Sequence, residues 1–253
     1  MRVQHDLAYG THPAQIFDLY LPERAAPKLV IFLHGGGWTH GSKRNARPLG
    51  ECLTQAGYAL ASLEYRKLPA VPPRRLVQDC ADGVAYVLNN TVQLGLDSGP
   101  AVLCGHSAGG HLAALLLADP AYLRRAGAQA GQLRGVVTLD GIFDLGPAQL
   151  DRHMQAAGVR LGPGGSAKLS FSPLHLVAGM AGAPRFLLLH GERPQYVAQA
   201  AEFEAVLRQQ GRNVERLSVP DLSHMEMTTR FGVSGTRMEE VVVSWLERQA
   251  VLF

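Results

Sequence analysis

Metal-binding cysteines, membrane-length apolar runs and a one-sided charge are all missing from this chain. Its three cysteines, Cys52, Cys80 and Cys104, are an odd number at no metal-ligand spacing. Two fall in helical stretches and one at the end of a strand, which reads as buried free thiols. The longest apolar run, Leu112 to Ala118, falls far short of the roughly 20 residues that cross a bilayer. The start, Met1-Arg2-Val3-Gln4-His5-Asp6, has no apolar core of a secretion signal, and a soluble, cytoplasmic protein is expected. Twenty-four Lys and Arg against 21 Asp and Glu leave a net charge of only +3, with the basic residues scattered, so no nucleic-acid groove is expected. Repeats, low-complexity tracts and linkers are also lacking. One domain over residues 1–253 follows.

What is present fits a self-sufficient globular fold. Apolar residues make up 47% and charged residues 18%, and a chain of this length buries roughly 70–75% of its unfolded surface without staples. Ile16 to Leu21 alternates like an edge strand, and Leu29-Val30-Ile31-Phe32-Leu33 is a continuous apolar run suited to a strand buried on both faces. Helical and strand patterns then alternate. Helices are expected over 44–56, 76–88, 108–117, 196–209 and 237–249, and strands over 58–64, 101–104, 136–139, 185–189 and 214–219. Such alternation specifies a doubly wound, mostly parallel α/β sheet flanked by helices, which binds ligands beyond the carboxyl ends of its strands. The stretch from Asp144 to Pro184 is irregular and rich in Gly, Pro and Ser. It is too long for a plain connection and is expected to cover part of a site.

Cys104-Gly105-His106-Ser107-Ala108-Gly109-Gly110-His111 carries G-x-S-x-G between a strand and a helix, the context in which that motif makes a nucleophile elbow. Ser107 is the candidate nucleophile. Gly105 and Gly109 are required because a Cβ at either would clash across so tight a turn, and the following helix aims its free N–H groups at the site. Leu33-His34-Gly35-Gly36-Gly37-Trp38 follows the first buried strand, and its glycines let N–H groups face a substrate oxygen. Gly36, Gly37 and Ala108 are the candidate oxyanion donors, with His34 bracing the loop. Gly36 to Lys43 has the glycine spacing of a P-loop but ends Ser-Lys where Lys-Ser/Thr is required, which sets a phosphate site aside. Trp38 and His106 are the candidate substrate contacts.

In sheets with such an elbow the partners follow in the order Ser, acid, His. His224 is the one histidine of ten that follows the last strand, in Val219-Pro220-Asp221-Leu222-Ser223-His224. The acid is expected after the penultimate strand, in His190-Gly191-Glu192-Arg193-Pro194, where Glu192 is the only carboxylate. Its rival is Asp140, at the end of the preceding strand. Asp144 and Asp221 are weaker candidates.

These residues resemble the α/β-hydrolase superfamily, in its esterase branch with an HGGGW loop and a GHSAGGH elbow, without a large lid domain. Among its members the chain is similar to kynurenine formamidases (arylformamidases) and their bacterial esterase relatives. Glu192-Arg193-Pro194-Gln195-Tyr196-Val197-Ala198-Gln199 matches the Asp-x-Pro-x-aromatic-x-x-Gln pattern around that family's acid, with Glu for Asp, and this favours Glu192. The resemblance implies a serine hydrolase with no metal or organic cofactor, acting on a small-molecule ester or formamide. A carboxylesterase for short acyl groups is the first expectation and an arylformamidase the second. A catalytically silent ligand-binding relative is the alternative from another class, although neither Ser107 nor His224 is lost. No nucleic-acid or membrane partner is expected, and a homodimer stays open.

Overall fold

The computed structural model describes residues 1–146, 169–232 and 237–250. Eight strands form one sheet in the order β1-β2-β4-β3-β5-β6-β7-β8. They are β1 (Arg2–Ala8), β2 (Ile16–Leu21), β3 (Leu29–Leu33), β4 (Ala59–Leu63), β5 (Ala101–His106), β6 (Leu133–Leu139), β7 (Arg185–His190) and β8 (Val214–Ser218). β1 pairs antiparallel with β2 and β2 with β4, and every later pairing is parallel. The longer helices are α1 (Arg47–Gln55), α2 (Pro73–Asn89), α3 (Ala108–Ala118), α4 (Pro194–Gln209) and α5 (Met238–Ala250). This is the α/β-hydrolase arrangement, a mostly parallel sheet flanked by helices.

The apolar runs of the central strands split by alternation into two cores. Leu29, Ile31 and Leu33 of β3, Leu103 of β5 and Phe186 and Leu188 of β7 pack on one face with residues of α2, α3 and α4. Val30 and Phe32, Val102 and Cys104, and Leu187 and Leu189 pack on the other face with residues of α1 and α5. Successive side chains of a strand point to opposite faces, so a strand covered on both sides must be apolar throughout. Helix α3, enclosed in the middle, is buried at every residue from Ala108 to Ala118. By contrast α4 buries one stripe, with Ala200, Phe203 and Leu207 inward, the spacing of a helix lying on a sheet.

The three cysteines are buried free thiols. Burial pushes Cys104 and Cys52 up to about 12, with the charge of Glu239 adding to the shift at Cys52. Among the described residues no helix is long and apolar enough to cross a membrane. Strand β1 was not expected from the sequence. It lies at the sheet edge, half exposed, its register breaks between Gln4 and Leu7, and Asp6 sits at φ 57°. Such a strand shows no clean alternation. Of the irregular stretch, residues 147–168 lie outside the described residues, and the remainder includes a short helix at Pro173–Leu176.

Phe203 joins α4 to both the sheet and the loop beyond β6. Its ring stacks on Phe143 at 4.2 Å and meets Phe186 edge-on at 5.9 Å, and it has no solvent exposure. Phe203→Ala is expected to cost about 3–5 kcal/mol through lost transfer energy and the cavity left behind. Urea unfolding checks this: a midpoint unchanged at equal m-value contradicts it.

Candidate active site

The elbow is built from close backbone approach. Ser107 takes φ 54° and ψ −119° between β5 and α3, a conformation costly for a residue with a side chain. Its N–H donates to the Leu139 carbonyl at 2.8 Å and its own carbonyl accepts from the His111 N–H at 3.0 Å. A Cβ on Gly105 would lie 2.2 Å from the Gly109 oxygen, and one on Gly109 would lie 1.9 Å from the Leu33 oxygen. The turn therefore seats against the end of β3 only with glycine at both positions. The eleven-residue helix α3 starts at Ala108, so its unpaired N–H groups surround Ser107.

The neighbouring glycine loop leaves β3 in left-handed conformations at Gly36 (φ 124°), Gly37 (φ 56°) and Trp38 (φ 64°). The Gly36 carbonyl turns back to accept from the N–H groups of Thr39 and His40. Beneath the loop His34 is fully buried, stacked on Tyr65 at 4.3 Å. Its Nε2 faces Glu64 Oε1 at 3.1 Å and its Nδ1 the Gly35 carbonyl at 2.7 Å. Burial alone would raise the Glu64 carboxyl, but hydrogen bonds from His34 and Lys67 outweigh it and hold the group down at about 2. His34 thus braces the loop from below, with Glu64 as a partner that the sequence did not announce.

His224 sits in the loop after β8 with its side chain 14% exposed. Its Nδ1 lies 2.9 Å from Asp140 Oδ2, so Nδ1–H donates to the carboxylate and Nε2 carries the free lone pair. The His106 Nε2–H donates to the His224 backbone carbonyl at 2.7 Å, tying the end of β5 to this loop. Asp140, one residue beyond β6, is 1% exposed and takes φ 47°. Its N–H donates to the Leu189 carbonyl at 2.9 Å, and its Oδ1 accepts from the Gly191 N–H at 2.8 Å.

The expectation of Glu192 against His224 is therefore corrected: Glu192 is exposed, and the carboxylate on Nδ1 belongs to Asp140. The reason lies in the following residues. Pro194 opens α4, fixing the backbone where an acid would have to turn inward, and Glu192 is left in the turn before it. The loop after β7 supplies Asp140 with a backbone donor and no rival charge. The pattern that favoured Glu192 has a different structural use. Gln199 Oε1 accepts from the N–H groups of Phe143 and Asp144 at 2.7 and 2.8 Å, and its Nε2 donates to the Asp144 carbonyl at 3.1 Å. It clamps the loop that carries Asp140. Tyr196, one turn earlier on the same face, stacks on His224. Asp144 itself pairs with His175, and Asp221 stands in a left-handed turn at φ 66°.

A cavity of about 870 Å³ opens over these groups. Gly36, Gly37, Trp38, His106, Ser107, Tyr196 and His224 all line it. The Trp38 Nε1–H donates to His111 Nδ1 at 3.2 Å, so His111 Nε2–H donates to the Phe171 carbonyl at 2.7 Å. Among the described residues no group of three His, Cys, Asp or Glu could hold a metal ion.

An eight-stranded sheet of this order, a strained serine at the head of α3 and a histidine–aspartate pair at the strand ends define the class: the chain is an α/β-hydrolase. It belongs, more particularly, to the family described as BD-FAE, whose model matches residues 17–207. A probable isoprenylcysteine alpha-carbonyl methylesterase of Oryza sativa subsp. japonica is 29% identical over 95% of this chain and 62% of its own length. A kynurenine formamidase of Danio rerio is 32% identical over 56% of this chain and 47% of its own length. The chain spans somewhat under two thirds of the length of such curated relatives. Among solved structures, a truncated carbohydrate esterase from gut microbiota superposes with a TM-score of 0.83 at 19% identity, covering 99% of this chain and 97% of the other.

Two buried histidines set an acid limit on this fold. Burial, then the neighbouring His224, pushes His106 down to about 4, and burial pushes His111 down to about 4. Both are held neutral, whereas in the unfolded chain they protonate near pH 6.5. The stability this confers is complete above pH 6.5 and is lost as pH falls from 6.5 to 4, because only the unfolded state gains protons there. His106→Gln and His111→Gln are each expected to flatten the slope of unfolding free energy in that window by about 1 kcal/mol per pH unit. Unchanged slopes in urea titrations at stepped pH contradict the assignment.

Proposed function

We propose that the chain hydrolyses carboxylic esters with short acyl groups through a covalent acyl-enzyme on Ser107. One observation carries the reading: strained Ser107 shares a cavity with His224, whose Nδ1 is held by a buried aspartate. In the proposed cycle Ser107 Oγ attacks the ester carbonyl as its proton passes to His224 Nε2. Asp140 keeps the imidazole in the tautomer that accepts at Nε2 and balances the cation that forms. The N–H groups of Gly36, Gly37 and Ala108 stabilise the oxyanion, and among the described residues no backbone carbonyl accepts from the first two. Collapse of the intermediate breaks the C–O bond, and the alcohol leaves with the Nε2 proton. Water then attacks the acyl-enzyme, gives its proton to Nε2, and frees the acid and Ser107.

The expectation of short acyl groups is supported by the polar part of the cavity lining. His40, Asn45, Arg193, Gln195 and Glu202 belong to that lining, and a long alkyl chain laid against them would desolvate polar groups without pairing them. The similarity to a kynurenine formamidase favours a second reading, cleavage of N-formylkynurenine by the same steps at a C–N bond.

The tests are direct. Ser107→Ala is expected to abolish hydrolysis of p-nitrophenyl butyrate and labelling by a fluorophosphonate probe, and labelling that persists rules out this nucleophile. Asp140→Asn is expected to lower kcat by about 10⁴, as an amide favours the wrong histidine tautomer, while Glu192→Gln stays near wild type. The reverse ranking returns the acid to Glu192. Comparison of kcat/KM for p-nitrophenyl acetate, butyrate and decanoate with N-formylkynurenine separates the two readings. A wild-type protein that turns over none of them and takes no label is a ligand-binding relative.

A further inference from the structure

Tyr196 has no part in the cycle just described, yet it lies against the imidazole that takes up the proton. It is the third residue of α4, with its N–H bonded to the Arg193 carbonyl at 3.0 Å. The ring centroids of Tyr196 and His224 are 4.5 Å apart and their planes differ by 4°. Two rings that close and that parallel are stacked, not side by side. The tyrosine hydroxyl lies 3.2 Å from His224 Nε2. Because the hydroxyl lies in the plane of its own ring, it meets Nε2 from the face of the imidazole. The lone pair of Nε2, which lies in the imidazole plane, stays open to the Ser107 proton.

We propose that Tyr196 is a fourth catalytic group of this site: its ring is the face against which the His224 imidazolium forms. This rests on the esterase reading above. A cation within about 6 Å of an aromatic centroid is attracted by the negative face of the ring. A neutral imidazole gains much less from the same contact. The interaction therefore strengthens as the proton reaches Nε2, which is the condition for raising kcat and not merely binding. Burial raises the Tyr196 phenol above its ordinary value, with the charge of Asp140 adding to it, so the hydroxyl stays neutral through the working range.

The framework keeps this platform in register with the acid. Pro194 starts α4, Tyr196 follows two residues later, and Gln199 locks the next turn to the loop beyond Asp140. Asp140 beyond β6, His106 at the end of β5 and Tyr196 on α4 meet His224 directly. Arg193, Glu202 and His40 line the same cavity, and Glu226 on the His224 segment bonds the Ser223 N–H.

The experiment compares wild type, Tyr196→Phe and Tyr196→Leu with p-nitrophenyl butyrate between pH 5 and 9, with thermal unfolding as a check of folding. Leucine keeps the position apolar but has no aromatic face. Tyr196→Leu is expected to lower kcat about tenfold with KM within about twofold, and to move the acid limb of kcat/KM down by about half a pH unit. Tyr196→Phe keeps the ring, so its acid limb stays at the wild-type position. An acid limb unmoved in Tyr196→Leu overturns the platform, as does one moved equally in both variants. Should the leucine variant not fold, Tyr196→Met carries the same expectations. A wild-type protein without hydrolysis fails the esterase reading itself, whereas an active wild type with indifferent Tyr196 variants fails this inference alone.

Discussion

The approach of the Ser107 turn to the end of β3 is the constraint on which the site depends. With a Cβ on Gly109 destined to fall 1.9 Å from the Leu33 oxygen, no other residue lets α3 start so close to that strand. This contact sets the glycine loop beside the head of α3, so that Gly36, Gly37 and Ser107 line one cavity. The cost is a serine in a left-handed conformation, held by two backbone hydrogen bonds, from its N–H to the Leu139 carbonyl and from the His111 N–H to its own carbonyl.

From that point the site grows by strand ends. β3 supplies the glycine loop, β5 the serine, β6 the aspartate and β8 the histidine loop. Their parallel pairing makes all four end on the same side, and the β5–β6 and β6–β7 registers carry Asp140 to the Gly191 N–H. Helix α4 then acts from outside the sheet. Its inward stripe reaches Phe143 through Phe203, the Asp140 loop through Gln199 and His224 through Tyr196. One helical face thus packs the core and steadies the site.

Much of this was legible in the sequence, for identifiable reasons. Continuous apolar runs such as Leu29 to Leu33 mark strands covered on both sides, and the positions of Gly105 and Gly109 around Ser107 mark a turn that has no room for Cβ atoms. His224 could be found because it alone among the histidines follows the last strand. The acid could not be found in this way. Asp140 and Glu192 both stand at strand ends, and sequence distance does not say which end lies beside the histidine loop. The pattern Pro194-x-Tyr196-x-x-Gln199 was a real signal attached to the wrong residue: it marks the first turns of α4, whose Tyr and Gln face the site. Glu64 carries no local signal, since its pairing with His34 spans 30 residues and arises only when β3 and β4 lie together.

Placing the carboxylate beyond β6 has a consequence for the turn after β7. That turn gives Asp140 only a backbone N–H, at Gly191, a donor that most side-chain replacements leave in place. Glu192 is left exposed in this turn, and Arg193 and Gln195 line the cavity. A short peptide at the rim can then vary in charge and bulk while the base and its partner stay as they are. In the proposed cycle selectivity and reactivity fall to separate strand ends, so drift in the one need not disable the other.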